Sequence, residues 1–132
     1  MLPITSFTSQ KTVDDLTDLA SLFSKRVIKC KDSPGFVVNR LLCPMINAAH
    51  RLVDEGVVDD YRLVDEVIKD CLGWKMGPFE VSDFVGLQSL ENIIREMENQ
   101  LPKGVIVESQ VLKEAMIRQL NTGNGFYERR SQ

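Results

Sequence analysis

Few positions in this chain carry side chains that could do chemistry. His50 is its single histidine. If it lies on a helix with Asn39, the two share a face but stand roughly 16 Å apart along the axis, too far to act on one atom. A lone helical histidine reads as a solvated or packing residue before it reads as a base. Asp59/Asp60 and Asp65/Glu66 are sequence neighbours, so their carboxylates point in different directions, and capping and solvation account for them. Cys30, Cys43 and Cys71 are far apart, odd in number and outside any CxxC pair. They read as three reduced, buried thiols, neither a disulfide framework nor a zinc site. No GxGxxG, GxxxxGK[ST] or GxSxG occurs, so the usual backbone cradles for a dinucleotide, a triphosphate or an activated serine are missing from this sequence.

Two segments offer more. Asn39 and Arg40 follow Ser33-Pro34-Gly35-Phe36, a turn that leads into a helix. An asparagine amide there can donate and accept hydrogen bonds toward a ligand lying over the helix end. The second segment runs from Lys75-Met76-Gly77-Pro78 through Glu80 and Asp83 to Gly86-Leu87. Its carboxylates can complement the N-terminus of a helix that starts at Pro78, where a missing N–H costs no helical bond.

The elements that must hold these residues are mostly helical. Thr12 is expected to cap a short helix in which Val13, Leu16, Leu19, Ala20 and Phe23 recur at helical spacing. Residues 1–10 carry no period. Arg26 to Cys30 reads as one strand, followed by turn residues, and no second strand of comparable quality stands elsewhere, which leaves this one an orphan. A long helix follows, with rows Leu41/Met45/Ala48/Leu52 and Leu42/Ile46/Ala49/Val53, closed by Gly56. Asp59 or Asp60 caps the next, which Gly73 stops. A third runs from Pro78 to about Met97, weakened or bent at Gly86. After the break at Leu101-Pro102-Lys103-Gly104, a fourth carries Val107, Val111, Leu112, Ala115, Met116 and Leu120.

With 132 residues, 43% hydrophobic and 27% charged, the chain has room for one domain with a modest core. A net charge of -3, from 16 basic and 19 acidic residues spread along the sequence, provides neither a nucleic-acid stripe nor a basic membrane face. No apolar run approaches the roughly 18 residues of a membrane span, so the expectation is an intracellular, soluble protein with no nucleic-acid or membrane partner.

Three motifs, in order, carry a family resemblance: Asp32-Ser33-Pro34-Gly35-Phe36-Val37-Val38-Asn39-Arg40-Leu41-Leu42, then Met76-Gly77-Pro78-Phe79-Glu80 through Asp83-Phe84-Val85-Gly86-Leu87, then Thr122-Gly123-Asn124-Gly125-Phe126-Tyr127. Together they make the chain resemble the C-terminal domain of the 3-hydroxyacyl-CoA dehydrogenase family, including 3-hydroxybutyryl-CoA dehydrogenases. The resemblance implies a mainly α fold of the 6-phosphogluconate-dehydrogenase-like C-terminal type. Residues 33–132 would form the helical substrate-binding and dimerisation domain. Residues 1–32 would be the last helix and strand of an NAD-binding domain, whose glycine-rich loop and catalytic histidine-glutamate pair lie in the family's preceding half. Asn39 matches the family's asparagine near the thioester carbonyl, and Ser33, Phe36, Arg40, Met76, Gly77 and Pro78 are implied substrate-side residues. The implied partners are an acyl-CoA, a second copy of the chain and the NAD-binding half. The implied reaction interconverts 3-hydroxyacyl-CoA and 3-oxoacyl-CoA in fatty-acid metabolism, including β-oxidation. A non-catalytic short paralogue that dimerises or binds acyl-CoA is the alternative. Chain alone, in either case, is expected to bind neither cofactor nor metal.

Overall fold

The computed structural model describes residues 2–4 and 7–127. Its elements are β1 (Leu2–Ile4), α1 (Gln10–Leu22), β2 (Lys29–Lys31), α2 (Val38–Asp54), α3 (Tyr61–Leu72), α4 (Pro78–Val85), α5 (Leu87–Gln100) and α6 (Gln110–Thr122). The chain is mainly helical, as its periodicity requires. The strand expected over Arg26 to Cys30 differs in two respects: it is shorter and later, as β2 at Lys29–Lys31, and it is no orphan. It pairs in parallel with β1, with Leu2, Pro3 and Ile4 opposite Lys29, Cys30 and Lys31. A three-residue strand with a central proline shows no period, so the sequence hid it. Parallel strands need a long crossover, and α1 supplies it.

Capping sets most of the helix boundaries. Ser9, three residues before the expected Thr12, caps α1: its Oγ accepts from the Thr12 N–H at 3.1 Å. Asp60 caps α3 by accepting from the Arg62 N–H, and Gly73 ends it in the left-handed region at φ 67°. Ser109 caps α6; Val107 therefore precedes that helix. The segment read as one helix from Pro78 is two, because Gly86 at φ 93° and ψ 124° cannot continue α4. Its N–H still bonds the Ser82 carbonyl at 3.0 Å, and its own carbonyl starts α5 by accepting from the Leu90 N–H.

The core lies among α2, α4, α5 and α6, where Ile46, Phe79, Leu87, Leu90, Ile94, Met97 and Leu112 are fully buried. The central element is α2, which packs on α3, α4, α5 and α6. Two of its polar side chains hold the start of α6. Asn47 donates to the Val107 carbonyl at 2.7 Å and accepts from the Ser109 N–H, and the Asp54 carboxylate accepts from the amides of Gln110 and Val111. By contrast α1 makes no substantial contact with the bundle. Val13 is its only buried residue, and Leu16, Leu19, Leu22 and Phe23 are exposed. The three cysteines also differ from the buried set expected: Cys43 is buried, Cys30 half-buried and Cys71 exposed.

Candidate functional site

The turn before α2 is built by its own backbone. Phe36 N–H donates to the Ser33 carbonyl at 2.9 Å, Arg40 N–H donates to the Gly35 carbonyl at 3.1 Å, and the Arg40 guanidinium donates to Ser33 Oγ at 3.0 Å. This folds Ser33-Pro34-Gly35-Phe36 back over the first turn of α2. Gly35 has no substitute here: its φ is +71°, and a Cβ would meet Arg40 N at 2.8 Å and Met97 Sδ at 2.9 Å. Phe36 is also left-handed, at φ 50°. That conformation costs an L-residue about 1–2 kcal/mol, and such strain collects at sites that clamp a ligand.

Asn39, in the first turn of α2, lines a recess of about 260 Å³ with Gly35 and Phe36. The opposite wall comes from α5, through Asn92, Ile93, Glu96 and Met97. Ser33, Phe36, Asn39 and Arg40 are thus brought together, with the Asn39 amide half-exposed at an apolar hollow. Of the four α5 residues, Ile93 and Met97 fall on the apolar side of the helix expected from Pro78, and none of the four stands out in the sequence as a site residue. Their tie to Asn39 was not legible, because no local pattern links residues more than fifty positions apart.

Met76, Gly77 and Pro78 stand elsewhere: none of them lines the recess. Gly77 and Pro78 are buried, and a Cβ on Gly77 would collide with Asp65. Gly77 N–H donates to Glu80 Oε2 at 2.8 Å, and Glu80 Oε1 accepts from Lys69 at 2.9 Å. Burial raises the Glu80 carboxyl, but the bonds from Lys69 and Gly77 outweigh it and leave the pKa below its ordinary value. The expected cap at this helix start is present.

A second carboxylate caps α4 from a different helix. Asp65, read from sequence as capping or solvated, is fully buried on α3, where its two oxygens accept from the Phe79 N–H, the Glu80 N–H and the Tyr127 hydroxyl at 2.8, 3.1 and 2.8 Å. Burial pushes its pKa up, against the pull of these donors. Burial, with the Asp65 carboxylate beside it, also holds the Tyr127 hydroxyl far above its ordinary range. Asp83 was expected to serve its own helix. It accepts instead from Phe126 N–H at 2.9 Å and Tyr127 N–H at 2.7 Å, 43 and 44 residues on.

His50 is a packing residue. It is fully buried, T-shaped against Phe79 at 4.6 Å and stacked on Phe126 at 5.2 Å. Ser82 Oγ lies 3.0 Å from its Nε2 and donates its own proton to the Pro78 carbonyl at 2.7 Å. That commitment makes Nε2–H the donor to Ser82 and leaves Nδ1 bare, with no partner among the described residues. Burial lowers the imidazole pKa to about 4 against the pull of Asp54. With a committed hydroxyl and no solvent access, the pair cannot serve as nucleophile and base. Among the described residues no group of three or more acidic, histidine or cysteine side chains could hold a metal ion, and no helix is long and apolar enough to cross a membrane.

The recess therefore takes in two of the predicted residues, Phe36 and Asn39, with Ser33 and Arg40 bonded to each other in the adjoining turn. It can orient a bound group through the Asn39 amide, and its α5 wall carries one carboxylate, Glu96.

Comparison with known proteins bears on what it holds. The family model described as 3-hydroxyacyl-CoA dehydrogenase, C-terminal domain, matches residues 35–129. The mitochondrial hydroxyacyl-coenzyme A dehydrogenase of Sus scrofa is 38% identical over 93% of this chain and 40% of its own length. A probable 3-hydroxybutyryl-CoA dehydrogenase of Deinococcus radiodurans is 33% identical over 91% of this chain and 44% of its own. The crystal structure of an (S)-3-hydroxybutyryl-CoA dehydrogenase from Ralstonia eutropha superposes with a TM-score of 0.87 at 28% identity, over 98% of this chain and 46% of that one. The chain thus spans less than half the length of these relatives.

Proposed function

Since the chain belongs to the 3-hydroxyacyl-CoA dehydrogenase family, matching its C-terminal domain, we propose that it holds and orients the acyl-CoA for an NAD-dependent interconversion of 3-hydroxyacyl-CoA and 3-oxoacyl-CoA. One observation carries this reading: the Asn39 amide sits at the lip of an apolar recess, fixed there by a turn that tolerates only glycine at position 35. An amide so held can donate to a thioester or 3-oxo oxygen as negative charge grows on it, with its geometry prepaid by the fold. Ser33, Phe36 and Arg40 belong to the same turn and form the substrate side with it. Met76, Gly77 and Pro78 set the start of α4, and we assign them to the framework behind the site.

NAD finds no fit among the described residues. Dinucleotide cradles open a helix with close-packed glycines, whereas residues 5–9, which lead from β1 to α1, contain none. In our reading NAD, and the acid–base chemistry at the hydroxyl, belong to the part of the relatives that this chain does not match. Residues 1–32 then read as the edge of that nucleotide-binding half, and residues 33–132 as the substrate and assembly domain. The exposed stripe of α1 and the short parallel β1–β2 pair are what such an edge would present. Exposed Leu63 and Val67 on α3, with Leu52 on α2, support pairing with a second copy of the helical domain.

The test is sedimentation of the purified chain with an acyl-CoA, following mass and ligand absorbance together, beside an assay with acetoacetyl-CoA and NADH. The expected result is a dimer that carries acyl-CoA and leaves NADH unoxidised. NADH oxidation by this chain alone would refute the division of labour, and a ligand-free chain at saturating acyl-CoA would refute the substrate role.

A further inference from the structure

We infer that Glu96 on α5 sets a charge preference at the substrate site: it discriminates against acyl-CoAs whose acyl chain ends in a carboxylate and leaves those with an uncharged end. The inference rests on the substrate role proposed above and adds a specificity-determining residue to it.

Glu96 stands on the wall facing Asn39 and is the charged residue of the recess lining. Asn92 lies one helical turn before it on the same side of α5, and Ile93 and Met97 make the remainder of that wall apolar. No cation offsets the carboxylate. Among the described residues Glu96 joins no ion pair, and its Oε1 accepts from the neutral Gln100 amide. Arg95, its neighbour in the chain, is paired with Glu91 at 3.2 Å and donates to Asn92 Oδ1 at 2.8 Å. Arg40, beside Asn39, donates to Ser33 Oγ at 3.0 Å, and neither arginine belongs to the lining.

The size of the recess turns this charge into selectivity. A volume of about 260 Å³ is roughly 7 Å across, so a second negative charge inside it stands within the screening length of about 8 Å at physiological salt. Like charges at that spacing near a protein surface should weaken binding about fivefold. A methyl end meets only the apolar wall and escapes this repulsion.

The experiment is calorimetric titration of the full chain with hexanoyl-CoA, adipoyl-CoA and free CoA, in the unaltered protein and in Glu96→Gln. The two thioesters share chain length and CoA and differ in the end group, so the repulsion that CoA phosphates feel cancels between them. Glu96→Gln should bring adipoyl-CoA about fivefold closer to hexanoyl-CoA. Hexanoyl-CoA affinity and the thermal midpoint should not move, because the side chain is exposed. In the unaltered chain the gap between the two thioesters should widen at about 0.01 M salt and narrow at about 1 M, a response that a packing role would not give. A gap equal in both proteins, or indifferent to salt, would overturn the inference and leave the substrate role standing. So would a variant that tightens free CoA as much as adipoyl-CoA, because Glu96 would then face the CoA phosphates. Should Glu96→Gln not fold, the salt series decides alone. Failure of every acyl-CoA to bind would remove the substrate role and this inference with it.

Discussion

Single buried side chains in this domain make its stability depend on pH, and His50 is the clearest case. Its folded pKa of about 4 lies below the ordinary 6.5, so the fold favours the neutral ring. Stability from this residue is complete above pH 6.5. It is lost as pH falls toward 4, because the unfolded chain takes up a proton that the folded one refuses; the full loss is about 3 kcal/mol. Asp65 acts in the opposite sense. Its raised pKa means that the fold loses stability as pH rises above the ordinary 3.8. Comparing urea midpoints at pH ~7.5 and ~4.5 in the unaltered chain and in His50→Phe separates the two, and the variant should lose less on acidification. An equal loss would show that His50 does not drive the acid transition. Asp83→Asn removes charge from two hydrogen bonds and turns an amide donor toward the backbone amides of Phe126 and Tyr127. The expected cost is about 1.5–3 kcal/mol, read as a lowered midpoint with early hydrogen exchange at those amides.

Helices were legible in this sequence wherever a cap and a four-residue apolar row coincided. Asp60 and Gly73 bracket α3 as expected, and the rows through Leu42, Ile46 and Ala49 give α2 its buried face. The capping role of Glu80 could be read because donor and acceptor lie three residues apart. What escaped was non-local. The donors to Asp83 come from the end of the chain, the donors to Asp65 come partly from another helix, and the α5 wall of the recess meets Asn39 only after folding. Gly86 was half legible: composition marks a weak point in a helix, and only the backbone shows a break with a positive φ. Gly86→Ala should therefore cost about 1–2 kcal/mol by urea denaturation, whereas a glycine merely bending one continuous helix would be stabilised by the same change.

At the scale of the whole molecule, stability is concentrated in the helical part. Because α1 has one buried residue and stands off the bundle, removing residues 1–32 should shift the unfolding free energy by no more than about 0.5 kcal/mol. A larger shift would mean that the N-terminal unit braces the bundle. The opposite end carries more weight. Phe126 is buried between His50, Phe79 and Tyr61, and Arg118 and Tyr61 bond the Gly125 and Phe126 carbonyls. Asp65 and Asp83 also receive donors from Phe126 and Tyr127. Synthesis runs from N- to C-terminus, so these acceptors are made long before the residues that satisfy them. While the ribosome adds the intervening residues at about 5–20 per second, the nascent bundle holds two carboxylates and an imidazole in a core it cannot yet close. The domain should thus remain protease-sensitive on the ribosome until Tyr127 has cleared the exit tunnel, and then lock in one late step.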